Sequence, residues 1–358
     1  MQALFMVPLF LLTADVLMFN EKEFIMFNKN YNITVLLCLS LILLSFTSYK
    51  AKAEEDGSSI KLTLSGGPMG GGASMALAAF MKAFLAEYPK ATLDLMPGNG
   101  TANPIRVSKG QVNIAHAQAS LLAASQKGTE PYKETCPNLR SLFKINDDCR
   151  LLLFVRDDAP IASLESIAAN KQAIRFSPAT RGSTNDMFSR WTLDEYGIDY
   201  NKMKEWGGEV TYISFDAMVD AMKDNQLDMV GWNGPGCPAF LRQIMLNKDV
   251  RFLPVGEKEI ENLKTRGLHA SVIKAGEFEG LPKEDVPCVA DVTEIICSAD
   301  LPDDVAYKIV EIWTKYSKDI ALANPGYGSY DPEISCKGTA LPLHPGAEKY
   351  YREAGWLK

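Results

Sequence analysis

Strand and helix patterns alternate along the chain from residue 60 onward. Apolar and polar positions alternate in 60–64 (IKLTL) and again in 91–96 (ATLDLM), which is the period of a half-buried β-strand. Between these runs, apolar residues recur at helical spacing, at Leu77, Met81, Phe84 and Tyr88. This order predicts a βαβ unit.

The alternation continues to the end of the chain. Further strands are predicted at 112–118, 151–157, 173–176, 209–213, 227–232 and 289–297. Helices are predicted at 185–196, 302–316 and 345–354. A further helix is predicted between its N-cap, Asn103, and Gly110, and another is indicated by an apolar face formed by Phe215, Met218, Val219 and Met222. No flexible linker separates the two halves. We therefore expect two α/β lobes joined by a hinge, lobe I being 54–150 with 286–358 and lobe II being 151–285.

Length and charge narrow the class of protein. The chain has 358 residues, of which 47% are hydrophobic and 23% charged, a balance typical of a soluble globular protein with room for two domains. Its formal net charge is -7, and no block of Lys and Arg occurs. Nucleic acid is therefore not an expected partner.

The N-terminal residues 1–53 have the pattern of a secretory signal peptide. The apolar run 33–46 follows Lys29, and Ala51 and Ala53 supply the small residues of a cleavage site. A retained membrane anchor is the weaker alternative, because the run is short of the ~20 residues that span a bilayer. Met26 is an alternative start. Export to the periplasm through a cleavable signal peptide is the prediction.

Six cysteines follow the predicted cleavage site. In an oxidising compartment an even number favours disulfide bonds, and Cys136 with Cys149, which bracket a predicted short loop, is the first candidate pair. Cys288 and Cys297 are predicted at opposite ends of one strand, too far apart to bond to each other. Cys237 or Cys336 would have to be their partners. None of the three histidines lies near a cysteine in sequence, so we expect no metal site.

A glycine-rich loop, 65–72 (SGGPMGGG), stands between the first predicted strand and helix. It lacks the G-x-G-x-x-G spacing and the lysine of nucleotide-binding loops. Bare backbone at a helix N-terminus can still hold a small anion, and five glycines exceed what a tight turn needs, although a plain turn is the alternative. The candidate ligand-binding residues here are Ser65, Gly67, Gly70, Gly71 and Ser74.

Two later loops follow predicted strands in the same way. In 177–186 (SPATRGSTND) the candidates are Arg181, Gly182, Ser183 and Thr184, against the alternative of a simple helix cap with a surface arginine. In 232–238 (WNGPGCP) they are Trp232, Asn233 and Gly236, with Trp232 equally compatible with a core position. Gln118 ends the strand 112–118 and is the last candidate. His116 lies on the same strand, and a structural role is the favoured interpretation for it. Such loops converge on one cleft in open α/β sheets.

No Ser-His-Asp arrangement and no GxSxG motif occurs, so we expect neither an enzyme nor a cofactor. Two alternatives to a binding receptor stay open. The first is an exported enzyme that acts on a small carboxylate. The second is a sensory or scaffold protein.

From about residue 60 onward, the chain resembles a TAXI-type solute-binding protein of a tripartite ATP-independent periplasmic (TRAP) transporter. The ending LPLHPGAEKYYREAGW (341–356) is the most specific motif, and SGG (65–67), GCP (236–238) and the strand ending NIAHAQ are also similar to the family. The resemblance implies a two-lobed, type II periplasmic binding protein-like fold with a ligand cleft at the hinge, and a structural role for the C-terminal segment. It also implies capture of an organic anion, delivery to the membrane subunits, and a monomer.

Two positions depart from the family pattern. Gly72 and Ala73 stand where the family has a Tyr pair, and Arg181 stands where it has a serine. The family's ligands are mostly glutamate-like amino acids and dicarboxylates such as 2-oxoglutarate, with keto acids also in range. A guanidinium at 181 predicts a two-pronged bond to a carboxylate or sulfonate.

Overall fold

The computed structural model describes residues 60–358. The predicted signal peptide, residues 1–53, and the alternative start at Met26 lie outside this range. Within it, no helix is both long and apolar enough to cross a bilayer.

Ten strands and thirteen α-helices alternate along the described chain. The strands are β1 (Lys61–Ser65), β2 (Thr92–Met96), β3 (Ile114–Gln118), β4 (Leu139–Arg156), β5 (Arg175–Ser177), β6 (Glu209–Val210), β7 (Met229–Gly234), β8 (Val250–Phe252), β9 (His269–Ile273) and β10 (Val286–Ser298). The helices are α1 (Gly72–Glu87), α2 (Ala102–Ser108), α3 (Ala119–Lys127), α4 (Leu164–Ala169), α5 (Thr184–Glu195), α6 (Tyr200–Glu205), α7 (Phe215–Lys223), α8 (Ala239–Asn247), α9 (Glu257–Lys264), α10 (Asp303–Lys315), α11 (Ser317–Ala323), α12 (Pro332–Ser335) and α13 (Pro345–Glu353). The predicted mixed α/β class is confirmed.

The strands form one curled sheet in the order β2-β1-β3-β10-β4-β7-β5-β6, with β8 beside β4 and β9 beside β10. The outer strands pair in parallel, β1 with β2 and β3, and β5 with β6 and β7. The central pair, β4 and β10, is antiparallel. Helices connect the parallel strands, as right-handed crossovers require.

The long strands β4 and β10 belong to both ends of the sheet. The C-terminal half of β10 pairs with β3, whereas its N-terminal half pairs with β9. Similarly, β4 pairs with β10 along most of its length and with β7 from Arg150 to Val155. The lobe boundaries predicted from the sequence, at residues 150 and 286, fall on these two strands.

Separate hydrophobic clusters cover the two ends of the sheet. Around β1, helices α1, α10 and α13 enclose a cluster that includes Phe80, Phe143, Trp313 and Tyr351, all fully buried. Around β5, a second cluster includes Phe176, Phe188 and Trp191. Burial of such rings stabilises the packing of the helices on the sheet, at about 25 cal/mol per Å² of apolar surface. The C-terminal helix α13 is thus part of the first core.

Most predicted elements are confirmed, with differences at their ends. The strand predicted at 151–157 begins at Leu139, because apolar residues such as Leu142 and Phe143 also face the core. The strand predicted at 209–213 is only two residues long, because the chain turns away to place Ser214 as the N-cap of α7. Asn103 is not an N-cap: Thr101 precedes α2, and Asn103 is buried.

All six cysteines among the described residues are free thiols. The predicted bridge between Cys136 and Cys149 is wrong, because the segment between them is the strand β4 and not a short loop. Leu139 to Cys149 in extended conformation spans about 33 Å, whereas a disulfide needs Cα atoms within about 7 Å. The prediction that Cys288 and Cys297 lie at opposite ends of one strand is confirmed by β10.

Candidate functional site

A cavity of about 100 Å³ lies at the carboxyl ends of β1, β3, β5 and β7. In open α/β sheets, ligands bind just outside the carboxyl ends of the strands. The cavity is lined by Gly66, Gly67, Pro68, Gly71, Gly72, Ala73, Gly100, His116, Gln118, Cys149, Ser183, Thr184, Asn185, Phe215, Trp232, Asn233 and Tyr327.

One wall is the glycine-rich loop and the first turn of α1. Gly71 is the N-cap residue and has no side chain to satisfy the first backbone N–H groups of the helix. These N–H groups have no intrahelical acceptor, and they carry the partial positive charge of the helix end. Ser74 closes the loop, since its hydroxyl donates to the carbonyl oxygen of Gly67 at 2.9 Å.

Gly72 has a close neighbour in the side chain of Asn324. A Cβ atom there would lie 2.6 Å from Nδ2 of Asn324, so any larger residue would displace that side chain. Asn324 therefore takes up part of the space beside Gly72, one of the two positions at which the family has a Tyr pair. An aromatic ring reaches the cavity from elsewhere in the chain, at Tyr327.

The opposite wall is the loop between β5 and α5. Ser183 is the N-cap of α5, and its hydroxyl oxygen accepts from the backbone N–H of Asp186 at 3.3 Å. Thr184 and Asn185 begin the helix and line the cavity. Their backbone N–H groups are, like those of α1, without intrahelical acceptors. Two helix N-termini from distant parts of the sequence thus meet at one cavity.

Three polar side chains between these walls are joined through a sulfur atom. Nε2 of Gln118 and Nδ2 of Asn233 donate to Sγ of Cys149, at 3.2 and 3.0 Å. Burial raises the pKa of the Cys149 thiol to about 12, so the group is neutral at physiological pH. Oδ1 of Asn233 is buried and has no hydrogen-bond partner among the described residues.

His116 also lines the cavity. Burial lowers the pKa of its imidazole to about 4, so the ring is neutral at physiological pH. Its carbonyl oxygen accepts from Nδ2 of Asn103 at 2.8 Å.

Aromatic rings complete the enclosure. Phe215 stacks on Phe240 with ring centroids 4.7 Å apart, and Trp232 meets Phe240 edge to face. Trp232 is 8% exposed and belongs to the cluster around Phe240, yet it also lines the cavity. Both interpretations of Trp232 offered by the sequence therefore describe its position.

The predicted ligand-binding residues divide into two sets. Those that line the cavity are Gly67, Gly71, Gln118, Ser183, Thr184, Trp232 and Asn233. Those that lie beside it are Ser65, Gly70, Ser74, Arg181, Gly182 and Gly236. Ser65 is buried and donates to Asn103 at 2.9 Å, while the exposed Arg181 places its guanidinium 4.4 Å from the ring centroid of Tyr212.

Several lining residues were not predicted. Asn185 lies in the same capping loop as Ser183, and Gly100 lies in a P-G-N-G loop after a strand, so both carried a local signal. Cys149 was assigned instead to a disulfide. Phe215 and Tyr327 carried no signal, because their arrival at the cavity depends on the packing of distant segments.

The cavity lining contains no Lys, Arg, Asp or Glu side chain among the described residues. Over the same part of the chain, no group of three or more His, Cys, Asp or Glu residues is placed to hold a metal ion. Any charge on a ligand would therefore be met by backbone dipoles and neutral side chains.

Residues 64–355 match the model of the NMT1-like family, so the chain belongs to this family of solute-binding proteins. Among solved structures, the chain is similar to MatC from Rhodopseudomonas palustris with bound malate, at 12% identity over 83% of this chain and 97% of that one, with a TM-score of 0.49. It is similar to PhnD1 from Prochlorococcus marinus in complex with methylphosphonate, at 12% identity over 83% and 99% of the two chains, with a TM-score of 0.48. A TctC solute-binding protein from Polaromonas matches at 16% identity over 83% and 96%, with a TM-score of 0.43.

Proposed function

We propose that this member of the NMT1-like family is the extracytoplasmic receptor of a TRAP transporter, of the TAXI type. It captures a small organic anion and delivers it to the transporter's membrane subunits. The observation that carries the proposal is the meeting of two helix N-termini, those of α1 and α5, at one cavity.

The two helix ends provide the electrostatic basis for anion binding. Each helix N-terminus acts as roughly half a positive charge, and its free N–H groups point along the helix axis toward a ligand. Between protein walls, where the effective dielectric constant is lower than in water, these dipoles interact with an anion more strongly than they would in solvent. Neutral amides from Gln118 and Asn233 add hydrogen-bonding capacity without adding charge.

The proposed mechanism is capture followed by closure. Lobe I supplies the α1 wall and lobe II the α5 wall, and β4 and β10 connect them as the hinge. A ligand held by one wall gains the second set of donors only when the lobes close, so binding shifts the population toward the closed form. The membrane subunits would recognise that form, and an ion gradient would drive uptake.

Two features of the sequence support the transporter assignment. The N-terminal residues 1–53 have a signal-peptide pattern, which would place the mature chain in the periplasm. The TAXI-like C-terminal motif, in turn, forms α13, which packs with α10 in the first core. The organic anion would be an amino acid, a keto acid or a dicarboxylate such as glutamate or 2-oxoglutarate.

A thermal-shift screen of the mature chain, residues 54–358, tests this function. Amino acids, hydroxy acids, keto acids, dicarboxylates and sulfonates would be compared, and hits measured by calorimetry. We expect at least one compound to raise the melting temperature in a concentration-dependent way and to be recovered unchanged. Conversion of the compound would instead indicate an enzyme, and the absence of any stabilisation would favour a scaffold or sensory role.

A further inference from the structure

We infer that the ligand is a small acid with a single carboxylate and with an N–H or O–H donor beside that carboxylate, as in an α-amino or α-hydroxy acid. The inference rests on the proposed function, and it narrows the range of anions that the receptor would take.

The positive charge that the cavity offers limits the charge of the ligand. Two helix N-termini, each worth roughly half a positive charge, together balance about one negative charge. No cationic side chain lines the cavity among the described residues. The guanidinium of Arg181 lies over Tyr212, and that of Arg106 donates to the carbonyl oxygen of Pro97 at 2.8 Å. A second ligand carboxylate would be buried without a counter-charge, which is costly.

Hydrogen bonding at Asn233 narrows the choice of ligand further. This residue is 7% exposed, and one hydrogen of its Nδ2 is donated to Sγ of Cys149. Its backbone N–H donates to Oδ1 of Asn185 at 2.7 Å. Oδ1 of Asn233 is left as a buried acceptor without a donor among residues 60–358. A buried acceptor of this kind is satisfied by a ligand N–H or O–H group and not by a ketone oxygen.

Gln118 is a weaker anchor than Asn233 for the same donor. Oε1 of Gln118 already accepts from the hydroxyl of Thr293 at 3.1 Å, and its Nε2 donates to Cys149. Of these two amide oxygens, that of Asn233 therefore has no donor, whereas that of Gln118 has one. The free volume of about 100 Å³ is well below that of drug-sized pockets, which suits a ligand of a few carbon atoms.

Three acids that differ in one group test the donor requirement. Binding of 2-aminobutyrate, 2-hydroxybutyrate and 2-oxobutyrate to the mature chain would be measured by calorimetry. We expect the tighter of the first two to bind at least about tenfold more strongly than 2-oxobutyrate, since an unsatisfied buried acceptor costs about 1–3 kcal/mol. Equal or tighter binding of the oxo acid would overturn the inference.

The variant Asn233→Leu identifies the acceptor. It keeps the approximate size of the side chain and removes the oxygen. We therefore expect the affinity ratio between the tighter of the amino and hydroxy acids and 2-oxobutyrate to fall to about one. Asn247→Leu, at an exposed position on α8, serves as the matched control and should keep the preference. A preference that persists in folded Asn233→Leu would contradict the assignment. The wild-type ranking decides the donor requirement even if this variant does not fold.

A fourth compound tests the charge limit. Malate carries the same α-hydroxyl as 2-hydroxybutyrate together with a second carboxylate, and we expect it to bind at least about tenfold more weakly. Malate binding as tightly as 2-hydroxybutyrate would overturn the charge limit while leaving the receptor function intact. If no compound in the wider screen binds, the proposed function fails, and this inference fails with it.

Discussion

The hydroxyl of Thr101 lies 2.9 Å from the carbonyl oxygen of Gly182, within hydrogen-bond distance across the mouth of the cavity. The same hydroxyl lies 2.9 Å from Oδ1 of Asn99, so its one hydrogen is shared between two acceptors. Nδ2 of Asn99 donates to the carbonyl oxygen of Arg181 at 3.0 Å. The loop between β2 and α2 is thereby joined to the loop before α5.

Loss of the Thr101 hydroxyl is expected to weaken ligand binding. Thr101→Val keeps the shape of the side chain and removes a hydrogen bond worth about 1 kcal/mol that the proposed closed form would contain, so affinity should fall up to about fivefold. Calorimetry with the best ligand of the screen would measure the change. The exposed Thr129→Val is the control, and equal affinities of the two variants would contradict a role for this contact in closure.

A side chain at Gly100 is expected to hold the cleft open. A Cβ atom there would lie 2.3 Å from Cγ2 of Thr184 on the opposite wall, so the walls could not approach as they do. Gly100→Val should raise the radius of gyration measured by X-ray scattering with ligand present and weaken binding by tenfold or more. An unchanged scattering curve and affinity would show that this approach is not needed.

The variant Arg181→Ala tests whether Arg181 binds the ligand, as the sequence predicts, or lies outside the site, as in the structure. If the guanidinium bound the ligand carboxylate, its removal would weaken binding by about 2 kcal/mol, which is roughly a thirtyfold loss of affinity. Because Arg181 is exposed and lies on Tyr212 outside the cavity lining, we expect less than a threefold loss by calorimetry. A loss of tenfold or more would place Arg181 in the site.

The stability of the protein should depend on pH through Asp291 in β10. Burial raises the pKa of this carboxyl to about 7, and its Oδ2 accepts from the hydroxyl of Ser120. Because the pKa in the folded state lies above that in the unfolded state, protonation of this carboxyl stabilises the fold at pH 4. This stabilisation is lost as the pH rises toward 7. Thermal melts of Asp291→Asn should therefore show a flatter decline over this range than the wild type. The exposed Asp304→Asn should follow the wild type, and parallel curves for all three proteins would contradict the assignment.

The cysteines offer a chemical check of the fold. With all six thiols free, alkylation after denaturation without a reductant should label six sites in the mature chain. Intact mass spectrometry would count them. A peptide that joins Cys136 to Cys149 would contradict the position of these residues along β4.

The alternating strands and helices were predictable because local periodicity records which face of each element is buried. The two helix N-termini at the cavity were predictable for a related reason: Ser183 and the glycine run both mark where a strand ends and a helix begins. The convergence of these ends depends on the antiparallel strands β4 and β10, which join two parallel sets that run in opposite directions, so that the carboxyl ends of the two sets face each other.

Other parts of the site depend on contacts between distant segments. The length of β4 follows from its pairing with β10, so the sequence alone suggested a loop and a disulfide at Cys136 and Cys149. Arg181 was chosen for its chemistry, but the neighbouring ring of Tyr212 decides where its side chain lies. Tyr327 enters the cavity only because the segment after α11 packs against the sheet.

The most direct test of the account observes both walls of the cavity at once. Backbone amide resonances of Gly72, Ala73, Thr184 and Asn185 would be followed by nuclear magnetic resonance during titration with the best ligand of the screen. We predict that all four shift and saturate together at one equivalent, because both helix N-termini contact the same anion. Shifts confined to one wall, or a saturated complex in which none of the four moves, would contradict the account.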